Sequence, residues 1–143
     1  MCYYSFDFQN ALVPQPGTKM ISIQRHDSSQ RLIFDRTSFV ARCIGSQELV
    51  DRLIAVLLET LPEQRRSLQK AIENQVVADI GRISHRLQGT AKNVCADRLS
   101  HAASLLELAC TSNDMASLQP AFANLYMQID ALIDELARGA RRI

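Results

Sequence analysis

Residues 76–94 read VVADIGRISHRLQGTAKNV, and apolar side chains recur along this stretch at intervals of three and four residues. On a helical wheel of about 100° per residue, four further apolar residues fall within about 60° of Ile80: Ile83, Leu87, Ala91 and Val94. A stripe of this width is typical of a helix that buries one face. The same spacing recurs from Ser46 to Arg138, where only two glycines and two prolines occur. The pattern therefore predicts a helical bundle for most of the chain.

Capping residues and chain breakers set the limits of the first two predicted helices. Asp35 can cap a short first helix that ends at Gly45. Ser46 then begins a long second helix, in which Pro62 is a predicted kink. The apolar stripe of this second helix consists of Leu49, Val50, Leu53, Ile54, Leu57, Leu61, Leu68 and Ile72.

Three more helices follow a turn predicted at Asn74 and Gln75. The third helix carries one apolar face made of Val76, Val77, Ile80, Ile83, Leu87, Ala91 and Val94. The fifth helix begins after Ser112 or Asn113. The apolar stripe of the fourth helix is Leu99, Ala102, Ala103, Leu106 and Cys110, and that of the fifth is Met115, Leu118, Phe122, Leu125, Ile129, Leu132, Ile133 and Leu136. Short connections make consecutive helices antiparallel neighbours. We therefore predict an all-α fold: an up-down-up-down antiparallel four-helix bundle with the short first helix as a lid.

The N-terminal residues have a different character. Residues 1–33 contain four of the eight aromatic residues, a Pro14-x-Pro16-Gly17 breaker and a polar stretch from Gln24 to Arg31. We predict an irregular N-terminal arm over residues 1–33 and one helical bundle domain over residues 34–143. Two roles stay open for the aromatic cluster at residues 3–8: packing on the bundle, or self-association.

The composition limits the classes of partner and cofactor. Sixteen Lys and Arg residues against fifteen Asp and Glu residues give a formal net charge of +1, which offers no global field for nucleic acid or an anionic membrane. No apolar run approaches the roughly 18 residues of a membrane helix, and the first residues lack signal-peptide features. The four cysteines show no C-x-x-C or zinc-site spacing, so we expect reduced thiols, no metal site and no cofactor of the protein's own. These features predict a cytoplasmic protein.

The candidate functional residue is His85. On the wheel it lies about 140° from Ile80, close to the direction opposite the core. Ala78, Gly81, Gly89 and Lys92 share this outward sector, with Gln88 on its flank, and we call this set the open patch. A glycine inside a helix costs about 1 kcal/mol relative to alanine, and Gly89 has no packing reason on an exposed face.

An ordinary exposed histidine beside incidental glycines is the alternative explanation. It must also account for the excess of cations between residues 82 and 98, where the only acid is Asp97. Those cations are Arg82, Arg86, Lys92 and Arg98. The combination favours a surface around His85 that another protein approaches.

The stretch from Ser84 to Val94, followed by Leu99, Ala102, Leu106 and Glu107, resembles the signature of histidine-containing phosphotransfer (HPt) domains, roughly A-H-x-L-K-G-[ST]-A and then L and L-E. The resemblance covers residues 34–138. It implies a monomeric helical bundle that accepts a phosphoryl group on the motif histidine, here His85. The donor and acceptor would be aspartates of receiver domains in a bacterial phosphorelay, one in a hybrid sensor kinase and one in a response regulator.

The resemblance also implies roles for the residues around His85. Gln88, Gly89, Lys92, Arg82 and Arg86 would contact the phosphoryl group or the receiver. The receiver would bring the Mg²⁺, and the protein would be a stoichiometric phosphocarrier rather than an enzyme, without an ATP-binding or kinase domain of its own. An imidazole with a free lone pair near neutral pH can attack an acyl phosphate in line.

Two residues depart from the family pattern. Gln88 stands where the family usually has lysine, so it can donate a hydrogen bond to a phosphoryl oxygen but brings no charge. Lys92 could supply part of that charge, because helical side chains lean toward the N-terminus. Cys95 stands where a glycine usually ends the third helix.

Two other functions stay open at this stage. The phosphoacceptor and dimerisation domain of a histidine kinase carries an acidic residue directly after its histidine, and Arg86 occupies that position here. A helical adaptor that binds a receiver or another signalling partner without becoming phosphorylated is compatible with the change at Gln88. His26 and His101 are assigned no role.

Overall fold

The computed structural model describes residues 31–112 and 115–141, and the regular structure of these residues is helical. By its contacts the chain separates into two units, residues 1–31 and residues 32–143. The arm predicted over residues 1–33 lies almost wholly outside the described residues. The helices are α1 (Arg36–Arg42), α2 (Gln47–Glu73), α3 (Val77–Asn93), α4 (Asp97–Ser112) and α5 (Met115–Arg141).

The four longer helices pack as a closed bundle. α3 packs against α2 and α4, and α5 packs against α4 and α2. Short turns join α2 to α3 and α3 to α4, so the chain reverses direction at each of them. The fold is therefore the predicted all-α four-helix bundle with an additional short helix.

The core confirms the stripe predicted for the fourth helix and most of the stripe predicted for the third. Val76 is the exception: it precedes the helix as its N-cap and is 40% exposed. Ile80, Leu87 and Ala91 of α3 are at most 1% exposed, and Leu99 and Leu106 of α4 are equally inaccessible. The predicted stripe of the fifth helix supplies five more buried residues: Leu118, Leu125, Ile129, Leu132 and Leu136. One continuous apolar core therefore holds the bundle together.

The stripe predicted for the second helix is partly wrong. Leu49 and Leu53 are 38% and 36% exposed, whereas Val50 and Ile54 are buried. On a wheel, Leu49 and Leu53 lie about 100° and about 60° from Val50, so they fall at the edge of the face that α2 turns to the core. α2 continues through Pro62 without interruption.

Side-chain caps begin α1 and α2 as predicted. The Asp35 carboxylate accepts a hydrogen bond from the Ser38 amide at 3.1 Å, and the Ser46 hydroxyl accepts one from the Leu49 amide at 3.2 Å. Hydrogen bonds from the Ser38 hydroxyl and amide lower the pKa of Asp35. Both caps satisfy amide groups that a helix leaves unpaired in its first turn.

Three helices end in turns that need a left-handed residue. Ile44, Gln75 and Cys95 have φ angles of 56°, 58° and 64°. At the end of α3 the Ala96 amide donates to the Ala91 carbonyl at 2.9 Å, which is the hydrogen bond of a Schellman turn. Cys95 therefore keeps the turn in which the family usually has glycine. In the first turn the left-handed conformation begins at Ile44, one residue before the Gly45 that the sequence indicated.

The segment around α1 is tied to the turn between α3 and α4. The Asp35 amide donates to the Cys95 carbonyl at 2.9 Å, and the Arg98 amide donates to the Leu32 carbonyl at 3.1 Å. The Arg42 guanidinium donates to the Lys92 carbonyl at 2.9 Å. This short helix therefore covers the C-terminal end of α3, which fits the predicted lid.

Replacement of the exposed left-handed isoleucine should stabilise the bundle. Ile44 is 90% exposed, so Ile44→Gly loses almost no burial. A residue with a Cβ in the left-handed conformation lowers the stability of the fold by about 1–2 kcal/mol. Glycine avoids this strain but lowers stability by about 0.4–1 kcal/mol, because it gives the unfolded chain more conformational entropy. We expect thermal unfolding of Ile44→Gly a few degrees above the wild type. The matched control Ala55→Gly, at an exposed position inside α2, should unfold earlier. A lower melting temperature for Ile44→Gly would contradict the backbone assignment.

Candidate functional site

His85 lies in the middle of α3 with its ring in solvent, as the wheel predicts. Its side chain is 72% exposed. Four residues further on, at Gly89, an added Cβ would meet no atom within 4 Å. No packing demand therefore explains Gly89, and another surface can approach the helix closely on that side of the ring.

A carboxylate from the neighbouring helix holds one nitrogen of this ring. Nδ1 of His85 lies 3.0 Å from Oε2 of Glu107 on α4. An ionised carboxylate can only accept hydrogen bonds, so the contact places the proton of the neutral ring on Nδ1. Nε2 then carries the free lone pair and faces away from the carboxylate. The site thus presents one defined nucleophilic atom.

Glu107 is the site residue that the sequence analysis left without a role, although it is part of the quoted motif. It is 22 residues from His85 in the chain. Its neighbour Leu106 is fully buried and Cys110, one turn later, is 9% exposed, so Glu107 lies at the border of the core stripe of α4. A carboxylate at such a border was the available signal, but its partner depends on the register between two helices.

A groove of about 380 Å³ adjoins the ring between α3 and α4. Its walls are formed by Val77, Ala78, Gly81, Arg82, His85, Glu107, Cys110 and Thr111. A Cβ at Gly81 would lie 3.6 Å from Cβ of Cys110, so Gly81 faces α4 and is half-buried, whereas the open patch placed it outward. Burial raises the pKa of the Cys110 thiol, and the Glu107 charge raises it further. The thiol beside the site therefore stays protonated near neutral pH.

The predicted contact residues surround His85 on α3. Nη2 of Arg82 is paired with Oδ1 of Asp79 at 3.0 Å, and both side chains are about half exposed. Arg86 and Lys92 are exposed, and Gln88 is half-buried. Arg86 lies about 100° around the helix from His85, so it borders the ring less directly than Arg82 does. Arg82, Arg86 and Lys92 therefore bring positive charge to the part of α3 that carries His85, and the charge of Arg82 is paired with Asp79.

Residues 31–112 and 115–141 contain neither a metal-binding cluster nor a membrane-spanning helix. No three His, Cys, Asp or Glu side chains of these residues come together as a metal site would require. None of the described helices is both long enough and apolar enough to cross a membrane.

The structure thus places an exposed imidazole on an antiparallel helical bundle, with a carboxylate of the next helix 3.0 Å from one ring nitrogen. The family model described as Hpt domain matches residues 52–139, which is more than half of the chain. The chain therefore belongs to the Hpt domain family, as the sequence resemblance indicated.

A solved structure agrees with this assignment in its fold. The crystal structure of the HPT domain from an Hpt sensor hybrid histidine kinase of Shewanella matches with a TM-score of 0.68 and 15% sequence identity. The match covers 78% of this chain and 96% of that one, and at this identity it shows the fold alone. No curated protein sequence matches the chain.

Removal of the carboxylate should change the proton position on the ring. At about pH 8.5, where an imidazole is neutral, long-range ¹H–¹⁵N spectra of the wild type should show His85 protonated on Nδ1. In Glu107→Ala the ring should become a mixture of both tautomers. Asp134→Ala, which removes an exposed carboxylate of α5, should leave the spectrum unchanged. The same tautomer in all three proteins would show that Glu107 does not hold the proton.

Proposed function

We propose that this protein is a phosphorelay intermediate. Nε2 of His85 accepts a phosphoryl group from the aspartyl phosphate of one receiver domain and passes it to an aspartate of another. The observation that carries this proposal is the imidazole of His85, whose side chain is 72% exposed and whose Nδ1 lies 3.0 Å from Oε2 of Glu107. Membership of the Hpt domain family supports it.

The chemistry balances without a further co-substrate. The Nε2 lone pair attacks phosphorus in line with the aspartyl oxygen, so the N–P bond forms as the P–O bond breaks and the aspartate leaves with the electron pair. Nε2 has no proton to lose in the tautomer that Glu107 favours. The ring becomes cationic, and the adjacent carboxylate stabilises that charge. Transfer to the second receiver is the reverse reaction.

The residues around His85 serve this transfer by position and charge. Gly89 lets the receiver close over the ring, since no side chain stands there. The Gln88 amide donates to a phosphoryl oxygen, and Lys92 brings a positive charge from the following turn. Arg82 and Arg86 face the acidic opening of the receiver and favour its approach. The receiver supplies Mg²⁺ and most of the transition-state stabilisation.

This proposal extends to the cellular setting. The protein acts as a monomeric, stoichiometric carrier in the bacterial cytoplasm and is not itself an enzyme. Its partners are the receiver domain of a hybrid sensor kinase, as donor, and that of a response regulator, as acceptor.

A second candidate function is an adaptor that binds a receiver without becoming phosphorylated. The observation that favours it is Gln88, which lacks the charge of the lysine usual in the family. The geometry of His85 favours the carrier, because an adaptor has no need of a ring nitrogen held by a carboxylate. Phosphotransfer assays separate the two functions.

Phosphorylation should depend on His85 alone. Incubation with phosphorylated receivers from the same genome should label the wild type with an acid-labile phosphoramidate. His85→Gln should abolish the label without changing the helical circular dichroism spectrum, because the ring is exposed and contributes little to the core. His101→Gln is the matched control and should be labelled like the wild type. Label that persists in His85→Gln would refute the carrier.

A lysine at position 88 should assist the transfer. An ammonium stabilises developing charge on a phosphoryl group better than an amide does, by about 1 kcal/mol at an exposed site, or several-fold in rate. We expect Gln88→Lys to speed phosphorylation or lengthen the lifetime of phosphohistidine. Lys92→Ala should slow transfer in the wild-type protein, and it should slow transfer less in a protein that already carries Gln88→Lys. Stopped-flow rates for this double-mutant cycle test the coupling, and four equal rates would place both residues away from the phosphoryl group.

A further inference from the structure

The groove between α3 and α4 is continuous with the phosphoryl-transfer site. His85 and Glu107 line it together with residues of the first turns of α3. Gly81 is four residues before His85, about 6 Å along the helix axis. A standard protein interface covers roughly 800 Å² of each partner. A receiver with its phosphoryl group on Nε2 therefore covers the groove as well.

The glycine in the groove has no packing explanation. A Cβ at Gly81 would lie 3.6 Å from Cβ of Cys110 and 3.9 Å from its Sγ, which is ordinary van der Waals distance. Alanine would therefore fit at this position, and inside a helix it is more stable than glycine. A residue that makes the fold less stable and lies beside a reacting group is typical of a functional position.

We propose that this groove is a specificity subsite that receives one large apolar side chain of the phosphorylated receiver, and that Gly81 keeps it open. This inference rests on the proposed phosphocarrier function. The walls favour an apolar guest, because the surface that lines the groove is mostly apolar and includes Val77, Ala78 and the Cys110 side chain. The groove has room for a leucine or an aromatic ring.

The rim of the groove adds a charge requirement. Arg82 stands there, held by Asp79 at 3.0 Å, and its side chain is 56% exposed. A guanidinium has five N–H donors, so Arg82 can bind a carboxylate of the receiver while it keeps Asp79. The preferred receiver therefore presents an apolar side chain with an acidic neighbour.

The test is single-turnover transfer from one phosphorylated receiver at increasing concentration. Gly81→Leu should raise the half-saturating receiver concentration about tenfold, as expected when one buried side-chain contact is lost, and leave the limiting rate within about twofold. Gly81→Ala should raise it about two- to threefold although this variant unfolds at a higher temperature than the wild type. Ala123→Leu, which adds the same side chain at an exposed position of α5, should transfer like the wild type.

A small phosphodonor separates docking from the reactivity of the ring. Phosphoramidate needs no docking surface, so it should label His85 at the same rate in the wild type, Gly81→Ala and Gly81→Leu. If the Gly81 variants were phosphorylated more slowly by the receiver and by phosphoramidate to the same extent, Gly81 would act on the reactivity of the ring. That result would overturn the subsite. Unchanged half-saturation in both Gly81 variants would also overturn it while the carrier stands. A wild type that no receiver labels would instead refute the proposed function.

Discussion

The hydrogen bond between Nδ1 of His85 and Oε2 of Glu107 joins α3 to α4 and determines which ring nitrogen is free. An imidazole on an isolated exposed helix can exchange its proton between two nitrogens and rotate about its side-chain bonds. The carboxylate restricts both freedoms, because it accepts from one nitrogen in one ring orientation. Chemistry that depends mainly on positioning gains from such restriction. The register between α3 and α4 is therefore the structural requirement of the site.

The turn between α3 and α4 sets that register. Cys95 adopts a left-handed backbone there, and its carbonyl accepts the Asp35 amide at 2.9 Å. Arg42 binds the Lys92 carbonyl at the end of α3, so α1 braces the turn from outside. On the α2–α5 side, Arg65 of α2 pairs with Asp130 of α5 at 2.8 Å. The exposed histidine thus sits on a frame whose helices are fixed at several points.

Local patterns in the sequence were enough to predict the helices, the caps at Asp35 and Ser46 and the exposure of His85, because each depends on residues within a few turns. To predict the contact of Glu107 with His85 would have required the alignment of two helices, and the periodicity of the sequence does not contain that information. The orientation of Gly81 was misjudged for the same reason: the wheel gives its angle but not the position of α4. The burial of Leu49 was predicted wrongly, because an apolar residue at the edge of a stripe is buried only if a neighbouring helix reaches it.

We propose that the carboxylate of α4 leaves Nε2 of His85 as the atom that carries the phosphoryl group. Nitrogen-15 and phosphorus-31 NMR of histidine-labelled protein, phosphorylated by a receiver, identifies that atom directly through the one-bond coupling to phosphorus. We expect phosphorus on Nε2 and a proton on Nδ1 within reach of Glu107. Phosphorus on Nδ1 would contradict it, because that nitrogen would then have left the carboxylate on which the arrangement of the site depends.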